Sequence, residues 1–215
     1  MDQLTEFYDQ FIETYWKLAS DIDFTKESLK FSLLTIAFNP IFWNIAARLE
    51  YKTHILTKLA FGKPKLGCYM LAATIFSLGI YRDEIFRQAL LEQPISPILN
   101  NDTVKYAGAA VFGIGNLLVV SSMFMLGITG TYLGDYFGIL MDERVTGFPF
   151  NVTNNPMYNG STLCFLGTAL WFAKPAGIFV AGFVYCLYQV ALIFEEPFTG
   201  MIYAKRDEEE KRKLK

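Results

Sequence analysis

Five apolar segments constrain the fold of this chain more than any other feature of its sequence. They lie at about residues 29–47, 66–81, 104–128, 160–173 and 177–194. An α-helix rises about 1.5 Å per residue, so 18 residues reach about 27 Å, close to the thickness of a bilayer's hydrocarbon core. Backbone polar groups in that layer need internal partners, which a helix provides. The sequence therefore predicts an all-α, polytopic membrane helical bundle with four or five hydrophobic segments.

The composition agrees with a membrane protein and argues against two kinds of site. Hydrophobic residues make up 53% of the 215 residues, charged residues only 19%, and the mean hydropathy is +0.27. The net charge is −2 without a large basic block, so we expect no nucleic-acid partner. His54 is the only histidine, which excludes a multi-histidine metal site, and we expect no metal.

Two of the five segments leave their path through the membrane open. The first contains Asn39-Pro40, and a proline inside a helix removes a hydrogen bond, so this segment is either a kinked span or re-entrant. The fourth is short, so it is either half of a helical hairpin with the fifth segment or an interfacial helix. Basic residues do not decide, because each arrangement adds six of them to the side that holds the basic tail.

The chain divides into three parts around these segments. Residues 1–28 are predicted to form an amphipathic helix and linker, residues 29–198 a membrane-embedded domain, and residues 199–215 a charged tail with six basic residues. An excess of Lys and Arg marks the cytosolic side, so we expect a cytosolic C-terminus. The first helix carries an apolar stripe that lies at the membrane interface or packs on the rest of the protein. Its members are Leu4, Phe7, Tyr8, Phe11, Ile12, Tyr15 and Trp16.

The fifth apolar segment ends in two adjacent acids, Glu195 and Glu196, within the stretch VALIFEEPFTG. An unpaired charge in apolar surroundings is costly, and neighbouring carboxylates also repel each other. Two interpretations follow. The pair either marks the membrane boundary and contacts the basic tail, or it binds a cationic ligand.

A second candidate site is Gly113-Ile114-Gly115, in the stretch AAVFGIGNLL. No strand precedes it, so it is not a dinucleotide-binding turn. Ala109 and Gly113 are four residues apart, which is typical of close helix packing in membranes. The alternative is that the missing side chains let a flat adenosine approach the backbone.

The polar stretch 130–160 is too long for an idle connection, and long loops often carry function. Asp135 lies beside aromatic residues in GDYFGI, which suits an amine or a quaternary ammonium group, although an interfacial aromatic belt has the same composition. Asn155 and Tyr158 lie in NNPMYNG, where they either bind a ligand or form the entry to a helix.

Four longer motifs resemble one enzyme family. The stretches FNPIFWNIAARLEYKT, GTYLGDYFGILMDERVTGFPFN, NPMYNGST and EEPFTGMIY are similar to the phosphatidylethanolamine N-methyltransferase family, and in particular to its fungal members, which perform the last methylations to phosphatidylcholine. The resemblance covers roughly residues 35–205. It implies an integral enzyme of the endoplasmic reticulum membrane, in some cases also of mitochondrial membranes, that takes a phospholipid substrate from the bilayer.

The resemblance also implies a methyl donor and its site. The family uses S-adenosylmethionine, and its donor motifs correspond to Gly113-Ile114-Gly115 and to Glu195-Glu196. The wider superfamily, which includes the isoprenylcysteine carboxyl methyltransferases, has a His-Pro-x-Tyr-x-Gly motif. Asparagine stands in place of that histidine at Asn155, so a role of the imidazole does not transfer.

We therefore predict in-line methyl transfer from the sulfonium of the donor to the lipid amine. A protonated amine has no lone pair, so the catalytic candidates are Asp135 and Tyr158, which hold the amine or accept its proton. Arg144 and Arg48 are both candidates for the lipid phosphate. Two other functions stay open, namely an isoprenylcysteine carboxyl methyltransferase-like enzyme and a non-enzymatic membrane packing or scaffold protein. The sequence gives no oligomeric state.

Overall fold

The computed structural model describes residues 2–213, with side chains throughout except at residues 2–4, 7 and 11. This part of the chain is helical and contains no strand, which confirms the all-α prediction. The helices are α1 (Asp2–Ser20), α2 (Glu27–Thr53), α3 (Ile55–Leu59), α4 (Pro64–Glu92), α5 (Asp102–Thr131), α6 (Pro156–Trp171) and α7 (Pro175–Lys213). A 3-10 turn, Gly134–Phe137, follows α5.

The long helices α2, α4, α5, α6 and α7 alternate in direction. Gln93, after α4, exchanges two hydrogen bonds with the backbone of Asp23, before α2, at 2.9 and 3.0 Å. This contact defines one end of the bundle, here called the hairpin end, where residues 21–26, 93–101 and 172–174 connect the helices. The opposite end, here called the loop end, holds residues 54–63 and 132–155 and the second half of α7.

Three stretches of the described chain are long and apolar enough to cross a membrane, namely α2, Asp102–Phe137 and α7. The first segment is a continuous helix through Pro40 and not a re-entrant one. The fourth segment, α6, has 16 residues and rises about 24 Å. A short connection turns it into α7, so α6 and α7 form the hairpin that was one of the two sequence-based alternatives.

Both terminal parts are helical. The exposed fractions of Tyr8, Tyr15 and Trp16 in α1 are 62%, 57% and 65%, so these members of the apolar stripe are not packed in the bundle. Leu4, Phe7 and Phe11 lie outside the described side chains. At the other end of the chain, α7 runs without a break through Pro197 into the charged tail, as far as Lys213.

The main core lies between α2, α4, α6 and α7, on the hairpin side of the bundle. Phe86 and Phe165 pack at its centre with their ring centroids 4.6 Å apart. The other buried members are Leu29, Ile36, Leu90, Val180, Ala181, Val184 and Tyr188. Large apolar side chains on the outside of the bundle, such as Phe124 at 86% exposure, match helices whose outer faces contact lipid.

Glycines let α5 and α6 approach with their backbones in contact. A Cβ atom built on Gly160 would lie 2.6 Å from the carbonyl oxygen of Gly115, and one on Gly167 would lie 2.6 Å from that of Gly108. The two pairs are seven residues apart on each helix, which places them on one face of antiparallel helices. This is the small-residue packing that membrane helices use in place of a hydrophobic driving force.

The glycine contact predicts that Gly160→Ala destabilises the protein although alanine favours helix. The added methyl group overlaps the backbone of α5, and such overpacking costs about 1–3 kcal/mol. For a chain of this length we expect the melting temperature in detergent to fall by roughly 2–12 °C.

Gly182→Ala is the matched control, because no atom lies within 4 Å of its Cβ position. Its melting temperature should stay constant or rise. Equal melting temperatures for the two variants would contradict the close contact between α5 and α6.

Candidate active site

A cavity of about 550 Å³ extends into the bundle from its loop end. All five long helices and the loop after α5 contribute to its wall, and its volume lies in the range of small-molecule sites. The wall residues used below are Asn39, Trp43, Arg82, Asp83, Ser122, Thr131, Asp135, Tyr158, Ser161, Tyr188, Glu195 and Thr199.

The carboxylate of Glu195 is the most strongly hydrogen-bonded group in this wall. Its Oε1 accepts hydrogen bonds from Trp43 Nε1 at 2.5 Å and from Asn44 Nδ2 at 2.8 Å. Its Oε2 accepts one from the hydroxyl of Tyr158 at 2.5 Å. A carboxylate has about four acceptor positions, so one position on Oε2 stays free for a ligand.

Two helices, α2 and α6, position these donors. Trp43 and Asn44 follow Pro40 by about one turn in α2, where the Asn44 side chain also donates to the Pro40 carbonyl at 3.0 Å. Tyr158 lies in the first turn of α6, whose start is fixed by Pro156 at a position where proline favours helix entry. The sequence motif NPMYNG therefore meets the two acids of α7 at one point.

Glu196 faces a more open environment than Glu195. Its side chain is exposed, and its Oε1 accepts a hydrogen bond from Asn155 Nδ2 at 3.1 Å. Asn155 is the residue at which the superfamily motif has histidine. Here its amide holds one acid of the pair, so the pair is bound by the α6 entry through both Asn155 and Tyr158.

Asp135 reaches the same cavity from the loop after α5. The helix is interrupted at Gly127, where φ is 64°, and Gly138 with φ of 77° ends the 3-10 turn. The turn is anchored by Tyr136, whose ring stacks on Phe198 at 5.1 Å. Asp135 Oδ2 accepts a hydrogen bond from Thr199 at 3.1 Å. Since Thr199 follows Glu195 by one turn of α7, the two carboxylates lie side by side along this helix.

Three aromatic rings cover the wall below Glu195. The ring of Tyr158 meets that of Tyr188 edge-on at 4.9 Å, and Trp43 lies 6.4 Å from Tyr158 and 6.5 Å from Tyr188. We call Trp43, Tyr158 and Tyr188 the aromatic cluster. The hydroxyl of Tyr188 accepts a hydrogen bond from Arg82 Nη1 at 3.0 Å.

Gly113, Ile114 and Gly115 are not among the residues that line the cavity. A Cβ on Gly113 would meet no atom within 4 Å, Ile114 is 54% exposed, and Gly115 is buried against α6. The contacts of Gly115 are helix-packing contacts. The assignment of these three residues to a donor site stays a prediction.

The two arginines suggested for a phosphate also lie outside the main cavity wall. Arg48 donates to the carbonyl of Phe194 at 2.7 Å, and its guanidinium carbon lies 4.7 Å from the ring centroid of Phe198. Arg144 lines a second, smaller cavity within the loop.

The structure brings three of the candidate residues, Asp135, Tyr158 and Glu195, to the wall of one cavity, but sequence reasoning missed much of their surroundings. The missed residues are Trp43, Asn44, Arg82, Tyr188 and Thr199. A signal was present for two of them, because Asn44 lies inside an apolar segment and Arg82 directly follows one. Polar groups at such positions in membrane helices often face a site in the bundle interior.

Comparison with known proteins gives consistent results over most of the chain. The phospholipid methyltransferase family matches residues 104–206. The phosphatidyl-N-methylethanolamine N-methyltransferase of Saccharomyces cerevisiae is 58% identical over 199 residues, covering 93% of this chain and 96% of the yeast protein. The phosphatidylethanolamine N-methyltransferases of rat and human are 49% and 46% identical, covering 86% and 88% of this chain and 92% and 95% of their own length. The search for solved structures gave no significant match.

The geometry around Glu195 predicts that Tyr158→Phe lowers the stability of the protein. The cause is the lost hydrogen bond to the Glu195 carboxylate and not lost packing of the ring. The variant keeps the ring but leaves Oε2 without its donor, and a hydrogen bond to a charged group contributes about 1.5–3 kcal/mol. We expect a fall of roughly 3–12 °C in the melting temperature.

Tyr185→Phe serves as the control, because Tyr185 is 49% exposed on the same bundle. Its melting temperature should be unchanged. An equal shift in both variants would mean that the Tyr158 hydroxyl contributes nothing specific to the fold.

Proposed function

The chain belongs to the phospholipid methyltransferase family, and we propose that it N-methylates phosphatidylethanolamine derivatives with S-adenosylmethionine as the methyl donor. Its acceptors are the mono- and dimethylated intermediates, and its product is phosphatidylcholine. The proposal draws on relatives named for this chemistry that match nearly the whole chain. The structural observation that carries it is the Glu195 carboxylate, held by three donors in the wall of a cavity at the end of a membrane bundle.

The residues around the acids suit a cationic methyl donor. Glu195 keeps one acceptor position free, and Glu196 uses only one oxygen, so both can bind an ammonium group or ribose hydroxyls. The hydroxyls of Ser122 and Thr131 also line the cavity and have no partner among the described residues. They provide further donors or acceptors for a polar ligand.

The two glycine motif residues enter the proposal indirectly. Gly115 holds α6 against α5 at Gly160, and this contact fixes Tyr158, which lies two residues before Gly160. Of the three motif residues only Gly115 supports the site through helix packing, and the assignment of Gly113-Ile114-Gly115 to the donor site stays a prediction. A direct contact with the donor would instead require Gly113 to face the cavity.

When bound, the donor supplies a methyl group on a sulfonium sulfur, which becomes a neutral thioether as the new N–C bond forms. The acceptor nitrogen must first lose a proton, because an ammonium group has no lone pair. Asp135 is the proton acceptor that the geometry favours, since its carboxylate lies in the wall and Thr199 is its hydrogen-bond donor. The Tyr158 hydroxyl already donates a hydrogen bond to Glu195, so the role of Tyr158 is to orient that acid.

The acceptor lipid enters sideways from the bilayer between α4 and α5. Apolar side chains form the cavity wall on both helices there, with Phe76 and Ile80 on α4 and Met123 and Leu126 on α5. Phe76 and Ile80 are also 54% and 58% exposed, so they face both the cavity and the outside of the bundle. Such a wall suits acyl chains, while the polar part of the cavity takes the headgroup.

The loop end of the bundle faces the cytosol in this proposal. Lys52 in the last turn of α2, Lys58 and Lys63 between α2 and α4, and Lys65 in the first turn of α4 lie at this end, as do the basic residues of the tail. Positive charge of this kind marks the cytosolic side, where a water-soluble donor is available. The compartment is the endoplasmic reticulum membrane, with mitochondrial membranes as a second site.

Purified protein in lipid nanodiscs tests the reaction directly. With labelled S-adenosylmethionine and monomethylated phosphatidylethanolamine, label should appear first in the dimethylated lipid and then in phosphatidylcholine. Folded protein that binds the donor but transfers no label to any of these lipids would refute the proposed substrate.

For the donor site we expect Glu195→Gln to weaken S-adenosylmethionine binding by roughly 10-fold to 100-fold. The amide removes the negative charge, and hydrogen bonds to charged groups are worth about 1.5–3 kcal/mol. Glu196→Gln should have a smaller effect in the same direction, because Glu196 is exposed. Isothermal titration calorimetry measures both dissociation constants.

Glu209→Gln in the exposed tail is the charge-matched control, and it should bind the donor like the parent protein. If Glu195→Gln and Glu196→Gln also bind like the parent protein, the two acids have no part in the donor site.

For proton transfer we expect Asp135→Asn to lower kcat by about 100-fold or more, the range that one positioned acid or base contributes. Donor affinity should stay within a few-fold of the parent value. Tyr158→Phe should instead raise the KM for the donor, because it releases Glu195. Steady-state kinetics that showed the reverse pattern would exchange the roles of the two residues.

A further inference from the structure

Arg82 is the only basic residue that lines the main cavity in the described part of the chain. It lies in α4, and only 12% of its side chain is exposed. Its neighbours Phe165 and Tyr188 belong to the apolar parts of α6 and α7. A charge in such surroundings carries a desolvation cost, which makes an interior arginine a candidate for binding a ligand.

The guanidinium group of Arg82 has unused hydrogen-bonding capacity. Nε and Nη2 donate to Asp83 Oδ1 at 3.0 and 2.8 Å, and Nη1 donates to the hydroxyl of Tyr188 at 3.0 Å. A guanidinium carries five N–H groups, so one on each terminal nitrogen is left for an anion. Asp83 does not use these two N–H groups, because it accepts from Arg82 through Oδ1 alone and 60% of its side chain is exposed.

The aromatic cluster separates Arg82 from Glu195. Tyr188 accepts the hydrogen bond from Arg82, its ring contacts that of Tyr158, and Tyr158 donates to Glu195. The cavity thus has Arg82, paired with Asp83 but with two free N–H groups, at one side, aromatic rings in the middle and the carboxylates of Asp135 and Glu195 at the other side. A ligand that fits this order carries an anion and a cation a short distance apart.

We propose that Arg82 and the aromatic cluster form the binding site for a zwitterionic phospholipid headgroup. The phosphodiester oxygens accept hydrogen bonds from Arg82, and the amine, two carbon atoms away, lies against the rings of Trp43, Tyr158 and Tyr188. This inference rests on the proposed function and names the acceptor's contacts in it. It replaces Arg48 and Arg144 as the phosphate-binding residues.

The aromatic cluster suits an acceptor that changes during successive methylations. Each methyl group removes an N–H donor from the amine, so a site built on hydrogen bonds to the amine would lose one contact at every step. Ring faces attract a cation without hydrogen bonds and bind quaternary ammonium groups well. Arg82 provides a contact that is the same for every intermediate, because the phosphodiester does not change.

The test compares two acceptors that differ in the phosphate. One is dimethylated phosphatidylethanolamine, and the other is a diacyl dimethylaminopropane lipid, which has a tertiary amine but no phosphate. We expect the parent protein to prefer the phospholipid in kcat/KM. Arg82→Gln should reduce kcat/KM for the phospholipid by roughly 10-fold to 100-fold and leave that for the phosphate-free lipid unchanged.

Arg87→Gln is the matched control, because Arg87 lies on the same helix, is half exposed and pairs with Glu84. It should keep the preference of the parent protein. Arg82→Lys keeps the charge but lacks the planar fork of donors, so its preference should be intermediate. If Arg82→Gln does not fold, the lipid preference of Arg82→Lys tests the inference in its place.

Lipid binding without turnover separates this inference from the proposed function. Native mass spectrometry should find phosphatidylcholine retained more strongly than the phosphate-free lipid by the parent protein, and equally by Arg82→Gln. Failure of methyl transfer in the parent protein would refute the function and leave this binding result intact.

Three results would overturn the inference. One is an equal loss of kcat/KM for both lipids in a folded Arg82 variant, which indicates a structural role. The second is an unchanged preference for the phospholipid in that variant. The third is a weakened affinity for S-adenosylmethionine, which would place the donor's carboxylate on Arg82 in place of the phosphate.

Discussion

The carboxylate of Glu195 is the interaction on which the arrangement of this bundle depends. A charge near the apolar interior must be paired or hydrogen-bonded, and here neutral donors from two other helices satisfy it. Trp43 and Asn44 fix α2 to α7, and Tyr158 fixes α6 to α7. One acid therefore joins three helices in the wall of the cavity, and the same hydrogen bonds that stabilise the fold orient the group that we propose binds the donor.

The positions of Tyr158 and Asp135 also depend on the close packing of α5 and α6 and on the path of α5. The backbone contacts at Gly115 and Gly160 hold the first turns of α6 in place, and Tyr158 lies in these turns. The interruption of α5 at Gly127 then turns the chain so that Asp135 approaches α7 from the other side. Tyr158 and Asp135 thus reach the same cavity because the glycine contact between α5 and α6 is close and because α5 is interrupted at Gly127.

The sequence predicts the parts of this site that local chemistry marks. Apolar length predicts the helices, and two acids at the end of an apolar segment indicate either a membrane boundary or a cation-binding site at Glu195 and Glu196. The proximity of Trp43 to Glu195 was not predictable, because 152 residues separate them and the contact depends on how α2 and α7 pack. The glycine motif is ambiguous for a related reason, since a missing side chain serves a ligand and a neighbouring helix equally well. Only the position of α6 shows that Gly115 faces a helix.

The order of charged groups and rings in the cavity also fits the movement of charge in the proposed reaction. Methyl transfer moves a positive charge from the sulfur of the donor to the nitrogen of the acceptor. The site must therefore stabilise a sulfonium group before the step and an ammonium group after it. A transition state is stabilised where charge develops, and in the proposed binding mode the acceptor nitrogen lies against the rings of Trp43 and Tyr188 when its phosphate is on Arg82. In the proposed reaction the acids hold the cationic donor, while the ring faces of the aromatic cluster attract the positive charge that develops on the nitrogen. A site with acidic side chains alone would bind the donor equally well, but it would contain no group that binds the phosphate. In such a site the cationic donor and the cationic product would also compete for the same carboxylates.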